Sequence, residues 1–421
     1  MKKIYLDYGA TTPVDKKVLK AMLPYFSEKY GNAMSLHSFG REANEAVEKA
    51  RKQTADFFGA EPEEIIFTSG ATESNNLVIK GVIKKYYDAL ETKSPIGDLV
   101  SKNSRIIKPH IITTAFEHHC VLDACKAAQK ENLAEVTFIK PDKDGLISVE
   151  SVKKSIKINT ILISVMYVNN EIGTMQPIAK IGELIKKANE ANKLTKLIFH
   201  TDATQAINYF DCNVNKLGID LLSMSAHKIY GPKGIGALYV RKGTPIIRVQ
   251  DGGDQESKKR AGTHNVPGIV GLGEAISLLK NKEARIKNKE ILELRNYLIK
   301  KVLKEIPDAK LNGSKKFRSP NNTNFTFKNI EGESLVLMLD KAGIAASTGS
   351  ACSTGSLQPS HVLLSIGLKP EEAHGSLRIT IGKYTTRKDM EDTVRKLKKI
   401  IFDLRKISGK VLDDYYRSHK H

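Results

Sequence analysis

Four cysteines in 421 residues are too few for a disulfide framework. No apolar run approaches the ~20 residues a helix needs to span a bilayer. The longest, around Thr160–Val168, reads as a buried strand. The N-terminal MKKIYLDYGATTP has two lysines with no apolar stretch behind them, so it does not read as an export signal. There is no block of five like charges, no internal repeat and no long low-complexity tract. These absences argue against a secreted or membrane protein and leave a cytoplasmic enzyme as the expectation.

Positive charge is in excess, with 67 Lys plus Arg against 47 Asp plus Glu, a net +20. Such a surface can collect phosphate. Here, however, the lysines sit in helical patterns among acids and apolar positions, as at Lys49 and Lys52, Lys84 and Lys85, or Lys396, Lys398 and Lys399. With no nucleic-acid motif present, they read as solvated helix faces, and direct nucleic-acid binding is not expected. An apolar fraction of 40% with 27% charged residues is that of a globular chain. At roughly 100–200 residues per domain, the length predicts two or three domains.

Helical periodicity runs through Ser38–Phe58 and stops at Gly59. Short apolar runs follow at Glu64–Thr68, His110–Thr114, Val136–Ile139, Ile161–Val165, Leu197–Thr201, Leu221–Ser225 and Ala237–Val240. Helical segments separate the earlier ones, around Val121–Lys130, Val149–Ile156 and Pro177–Ala191. That alternation predicts an α/β fold with a mainly parallel sheet covered on both faces. From about Val266 the pattern changes to a long helical stretch with a break near Lys280–Lys282. Short strands at Asn324–Phe327 and Leu377–Ile381 and helices at Glu333–Ala342 and Lys388–Lys406 follow. We expect a large domain over 15–265 and a smaller α+β domain made of 1–14 and 266–421. Thr92–Lys108 is polar and reads as a surface insertion.

Five segments carry side chains suited to chemistry. In FTSGATESNN a strand ends, a Gly70-Ala71-Thr72 turn follows and a helix begins with Glu73; exposed amides at a helix start and the Thr72 hydroxyl suit phosphate, and an ordinary N-cap by Thr72 is the alternative. In LIFHTDATQA, Asp202 and Gln205 follow an apolar strand, where open α/β sheets bind ligands, although a capping aspartate would look the same. In LLSMSAHKIYGPKGIG, Ser225 and His227 flank Lys228, a lysine placed to form a Schiff base or, alternatively, to snorkel at the surface. STGSACSTGS sets Cys352 among small residues without periodicity, the setting of a reactive thiol; Cys120 and Cys125, in a helical pattern, read as structural. In EHHCVL, metal binding by His118, His119 and Cys120 lacks any zinc spacing, and a capping or cofactor-facing histidine fits better.

The order of these segments, with VNNEIG at residues 168–173 and a late arginine in GSLRITIG, resembles the cysteine desulfurases of the NifS/IscS type. These are pyridoxal-phosphate enzymes within the class V aminotransferases. The resemblance spans nearly the whole chain, from YLDYGATTP to GKYTT. It implies the aminotransferase-like fold of that class, with a large domain built on a seven-stranded sheet. It implies pyridoxal 5′-phosphate as cofactor, L-cysteine as substrate and alanine as product, with the sulfur passing to Cys352 as a persulfide.

At matched positions, Lys228 would carry the cofactor and shuttle a proton, and Asp202 would pair with the pyridine nitrogen. His118 would stack on the ring and join the acid–base steps. Asn170 and Gln205 would contact the ring's phenolic oxygen region. Ala71, Thr72, Ser225 and His227 would hold the phosphate, and Thr263 would reach the phosphate of a partner subunit's cofactor, implying a homodimer. Asn32 and Arg378 would bind the substrate carboxylate, for which an arginine fork is suited. A resident metal is not implied, although Cys352 could help ligate a cluster transiently. The sulfur acceptor would be a protein such as an iron–sulfur scaffold or a tRNA- or cofactor-thiolation enzyme.

The chain departs from the family at Gly31-Asn32-Ala33-Met34-Ser35, where a proline is usual, and at Asp251-Gly252-Gly253-Asp254-Gln255-Glu256 and Arg260-Ala261-Gly262-Thr263. Its C-terminal DDYYRSHKH does not match the scaffold-docking tail of the best-known members. A selenocysteine lyase or another aminotransferase of this fold, or an inactive scaffold that keeps the fold, are the rival readings.

Overall fold

A computed structural model describes residues 3–91, 107–191, 196–348 and 358–418. Cys352 and most of the Thr92–Lys108 insertion lie outside the described residues. Strand β1 is Ile4–Tyr5. The large sheet takes β2 (Ile65–Thr68), β3 (His110–Thr114), β4 (Glu135–Ile139), β5 (Thr160–Ser164), β6 (Ile198–Asp202), β7 (Leu221–Ser225) and β8 (Gly236–Val240). Its seven strands lie in the order β2-β8-β7-β6-β5-β3-β4. Only β8 runs against its neighbours.

Period-two geometry explains why these strands read as unbroken apolar runs: both faces are covered. Ile65 and Phe67 point into one core, with Val47 and Phe58 of the Ser38–Phe58 helix and Ile269 and Leu272 of the Val266–Leu279 helix. Ile66, between them, points into the opposite core, with Leu77, Val78 and Val82 of the Ala71–Glu91 helix and Val121 and Cys125 of the His119–Lys130 helix. The Ser38–Phe58 helix stops where Gly59 takes φ 67° and returns its N–H to Ala55.

The remaining strands are β9 (Ala309–Leu311), β10 (Asn322–Phe327), β11 (Ile344–Ala345) and β12 (Ser376–Thr380). β12-β10-β9 form an antiparallel sheet, and β1 pairs with β11. A third core gathers Ile4 and Leu6 with Leu294, Phe325, Leu335, Leu377 and Leu397. The N-terminal residues are thus built into the C-terminal part of the fold.

Boundaries differ from the sequence expectation where side chains intervene. The His119–Lys130 helix begins two residues before its apolar period, because His118 caps it by accepting from Cys120 N–H. Asp202 is the last residue of β6 rather than the first after it; its carbonyl accepts from Tyr167 N–H. The last helix runs Arg387–Ser418, well past Lys406. Among the described residues, no helix is long and apolar enough to cross a membrane.

Candidate active site

The C-terminal ends of β2, β3, β5, β6 and β7 share one edge of the sheet, and the segments that follow them surround a cavity of about 550 Å³. Ala71, Thr72, His118, Asn170, Asp202, Gln205, Ser225, His227, Lys228 and Arg378 all line it. These are ten of the candidates singled out in the sequence. Thr263 and Asn32 are exposed and do not line it. Cys352 falls outside the described residues.

At one end lies the start of the Ala71–Glu91 helix. Its approach to the sheet depends on Gly236: a Cβ there would sit 2.4 Å from the Met224 carbonyl oxygen and 2.7 Å from Gly70 Cα. Ser225 closes β7 opposite this turn, and a Cβ on Gly70 would meet its Oγ at 3.3 Å. His227 adds a ring whose Nδ1 lies 3.2 Å from Thr11 Oγ1. Burial, then the nearby Lys228 and Lys233, push this histidine down to about 4, so the ring is neutral at physiological pH. Helix amides, hydroxyls and a neutral imidazole form a cradle for phosphate.

At the other end, Asp202 is 5% exposed. Its two oxygens accept from Asn75 Nδ2 at 2.7 Å and Thr204 N–H at 2.9 Å. Between the two ends, Lys228 Nζ donates to the carbonyls of Gly9 and Ala10 at 2.6 and 2.7 Å. Arg378 is 3% exposed and pairs through Nη2 with Asp7 Oδ1 at 3.0 Å, while Nη1 donates to the Asn170 carbonyl at 3.2 Å. Its Nε and the Asn170 Oδ1 are buried without a hydrogen-bond partner.

In and beside the site stand groups that the sequence reading did not single out. Glu117 and Glu171 are buried carboxyls. Burial pushes Glu117 up to about 8, against hydrogen bonds from Thr114 and Met166, and Glu171 up to about 7, against one from Ser360. His361 lines the cavity with Nε2 on the Glu117 carbonyl and its ring 4.8 Å from that of His119. Asp7 and Gly9–Thr11 come from the N-terminal segment. The available signal was composition alone: a lone Glu beside His118 and another in VNNEIG. Among the described residues, no group of His, Cys, Asp or Glu could hold a metal ion.

This donor set fits pyridoxal phosphate: a phosphate cradle, a lysine amine and a buried carboxylate for a ring nitrogen, all lining one cavity. The chain matches the model of the family "Aminotransferase class-V" over residues 4–96 and 99–392, and it belongs to that family. The class depends on pyridoxal phosphate, and this chain is an enzyme of that kind. It is 48% identical to the protein named "Cysteine desulfurase IscS" of Dictyoglomus turgidum, over 97% of this chain and 96% of that one. It is 43% identical to the Homo sapiens "Cysteine desulfurase", over 97% of this chain and 84% of that one. Among solved structures, a "NIFS-LIKE PROTEIN" superposes with a TM-score of 0.83 at 35% identity, over 95% of this chain and 99% of that one. "SspA in complex with cysteine" does so at 0.75 and 37%, over 91% and 100%.

Proposed function

We propose that this chain is a cysteine desulfurase: L-cysteine yields L-alanine, and its sulfur passes to the Cys352 thiol as a persulfide. The observation that carries the reading is the single cavity shared by Lys228, Asp202, His118 and Arg378, in a chain whose relatives are named for this activity.

Bound pyridoxal phosphate supplies an electron sink next to the substrate's α-carbon. Ala71, Thr72, Ser225 and His227 bind its phosphate, and Asp202 holds a proton at its ring nitrogen. Asn170 and Gln205 orient the ring, and His118 covers it. Lys228 offers its amine for attachment and moves the α-proton. Arg378, oriented by Asp7, binds the substrate carboxylate, and Asn32 assists it. Thr263 reaches the partner subunit's cofactor phosphate in a homodimer.

Dimerisation is supported by exposed apolar side chains between Leu19 and Phe39, with Phe26 60% and Leu36 91% exposed. The same stretch holds Asn32. We further propose the division into 15–265 and 1–14 with 266–421, a cytoplasmic location, and a sulfur-accepting protein partner such as an iron–sulfur scaffold or thiolation enzyme. The Val266–Leu279 helix crosses that seam, since it packs along Ser38–Phe58.

Incubation with L-cysteine and no reductant should add one sulfur atom to Cys352 by mass spectrometry, with one alanine released per sulfur. With reductant, sulfide should match alanine. A Cys352→Ala protein that releases sulfide at the normal rate would refute the persulfide route.

A further inference from the structure

Four side chains at the inner wall of the cavity are joined in series. His118 Nδ1 lies 2.9 Å from Cys120 Sγ and accepts from the Cys120 backbone N–H at 3.2 Å. Cys120 Sγ accepts from Asn75 Nδ2 at 3.0 Å. The second hydrogen of that nitrogen goes to Asp202 Oδ2 at 2.7 Å. Asn75 and Cys120 are both buried.

The protons in this series follow from the donors. A backbone N–H can only donate, so His118 Nδ1 must present its lone pair, and the ring proton of the neutral imidazole stands on Nε2. The thiol then donates its S–H to the same Nδ1, and its lone pairs are left to receive Asn75. Burial and the neighbouring Asp202 push Cys120 up to about 12, so this sulfur keeps its proton at any working pH. The amide of Asn75 can face only one way, because the flipped orientation would set its oxygen against a carboxylate. Its Oδ1 is in consequence buried without a partner.

We propose that Asn75 and Cys120 are positioning residues: together they fix His118 as the Nε2–H tautomer and tie its orientation to that of the Asp202 carboxylate. Its meaning for turnover rests on the desulfurase reading; the tautomer itself does not. The histidine that would cover the cofactor ring and the carboxylate that would meet its nitrogen are then set by one link rather than separately. Cys120 thus has a task beyond filling the core, the role its helical pattern suggested. Asp202, Asp123, Lys228, His119 and His361 also face His118, and burial holds its pKa below the ordinary value.

The test is ring-nitrogen NMR of the full-length protein labelled with 15N-histidine, cofactor-free and loaded, with His118 assigned by its absence in His118→Gln. Wild type should show a pyridine-like Nδ1 and a pyrrole-like Nε2 near neutral pH in both forms. Cys120→Ala removes the sulfur that holds the ring against this amide, so the ring can turn away from the 3.2 Å contact and the single-tautomer signature should be lost. Cys120→Ser, whose hydroxyl can donate and accept in the same place, should restore it. Asn75→Ala should weaken pyridoxal phosphate binding by about tenfold, the value of one charge-assisted hydrogen bond to Asp202. A wild-type Nδ1–H tautomer would overturn the proposal whether or not the variants fold. So would Cys120→Ala and Asn75→Ala proteins that keep the wild-type shifts and a cofactor Kd within about twofold of wild type. Persulfide formation in wild type separately reports on the desulfurase reading.

Discussion

Replacing Glu256 by glutamine probes how the loop that carries Thr263 is held to the large sheet. Glu256 is 7% exposed, and its carboxylate accepts both Arg51 guanidinium nitrogens at 2.8 Å, Phe67 N–H at 2.8 Å and His264 Nε2 at 2.8 Å. Burial alone would raise its pKa, but hydrogen bonds from Arg51 and His264, the Arg51 charge and the Phe67 amide bring it down to about 2. Against an ordinary value of 4.5, that shift corresponds to about 3 kcal/mol. The folded pKa is depressed, so this stability is fully present above about pH 4.5 and is lost as pH falls towards 2.

Glutamine leaves the buried Arg51 with the half-exposed Glu48, 3.0 Å from its Nε, as its remaining charged partner; breaking a buried pair in this way costs about 3–5 kcal/mol. For a chain of this length that is a drop of about 3–6 °C in Tm. Thermal melting of cofactor-free protein at pH 7 reads the difference directly. The gap between wild type and Glu256→Gln should narrow as the pH is lowered from about 4.5. Replacing both partners, Arg51→Met with Glu256→Leu, should recover most of the loss, since no buried charge is then left alone. A Glu256→Gln protein melting within about 1 °C of wild type at pH 7 would refute the reasoning.

Arg378→Lys keeps the charge but removes the fork, so the KM for L-cysteine should rise about 10- to 100-fold with a much smaller change in kcat, measured by alanine release. Gly236→Ala drives a methyl group into the Met224 carbonyl and Gly70 Cα, two backbone atoms that cannot swing aside. It should cost about 1–3 kcal/mol in stability and loosen pyridoxal phosphate binding, read by thermal melting and absorbance titration.

Much of this site was legible because its parts lie at strand ends, where local sequence reports both the strand and the turn. Lys228 follows the buried run Leu221–Ser225, and Asp202 closes Ile198–Asp202, so the apolar periodicity that located the strands also located residues that line the cavity. The partners of these residues were not legible, because nothing local marks them. Asp7 meets Arg378 across 371 positions, and Asn75 meets Asp202 across 127. The tie between Cys120 and His118 was not legible for a related reason: Cys120 does sit in the core, as its helical apolar pattern predicted, and only the neighbouring His118 and the distant Asn75 reveal its further contacts. The pairing of Ile4–Tyr5 with Ile344–Ala345 is of the same kind, although the extended N-terminus hinted at it.

The N-terminal segment has a consequence for how the molecule is made. Residues 4–6 belong to the core near the chain's other end, Asp7 orients Arg378, and the carbonyls of Gly9 and Ala10 receive Lys228. During synthesis residues 4–6 therefore cannot take up this place until the strand Ser376–Thr380 has been made. The residues of the seven-stranded sheet, up to Val240, are all made before that strand, whereas the Asp7–Arg378 pair has to wait for it. Assembly order thus separates the strand ends that carry Asp202 and Lys228 from the late arginine that shares their cavity.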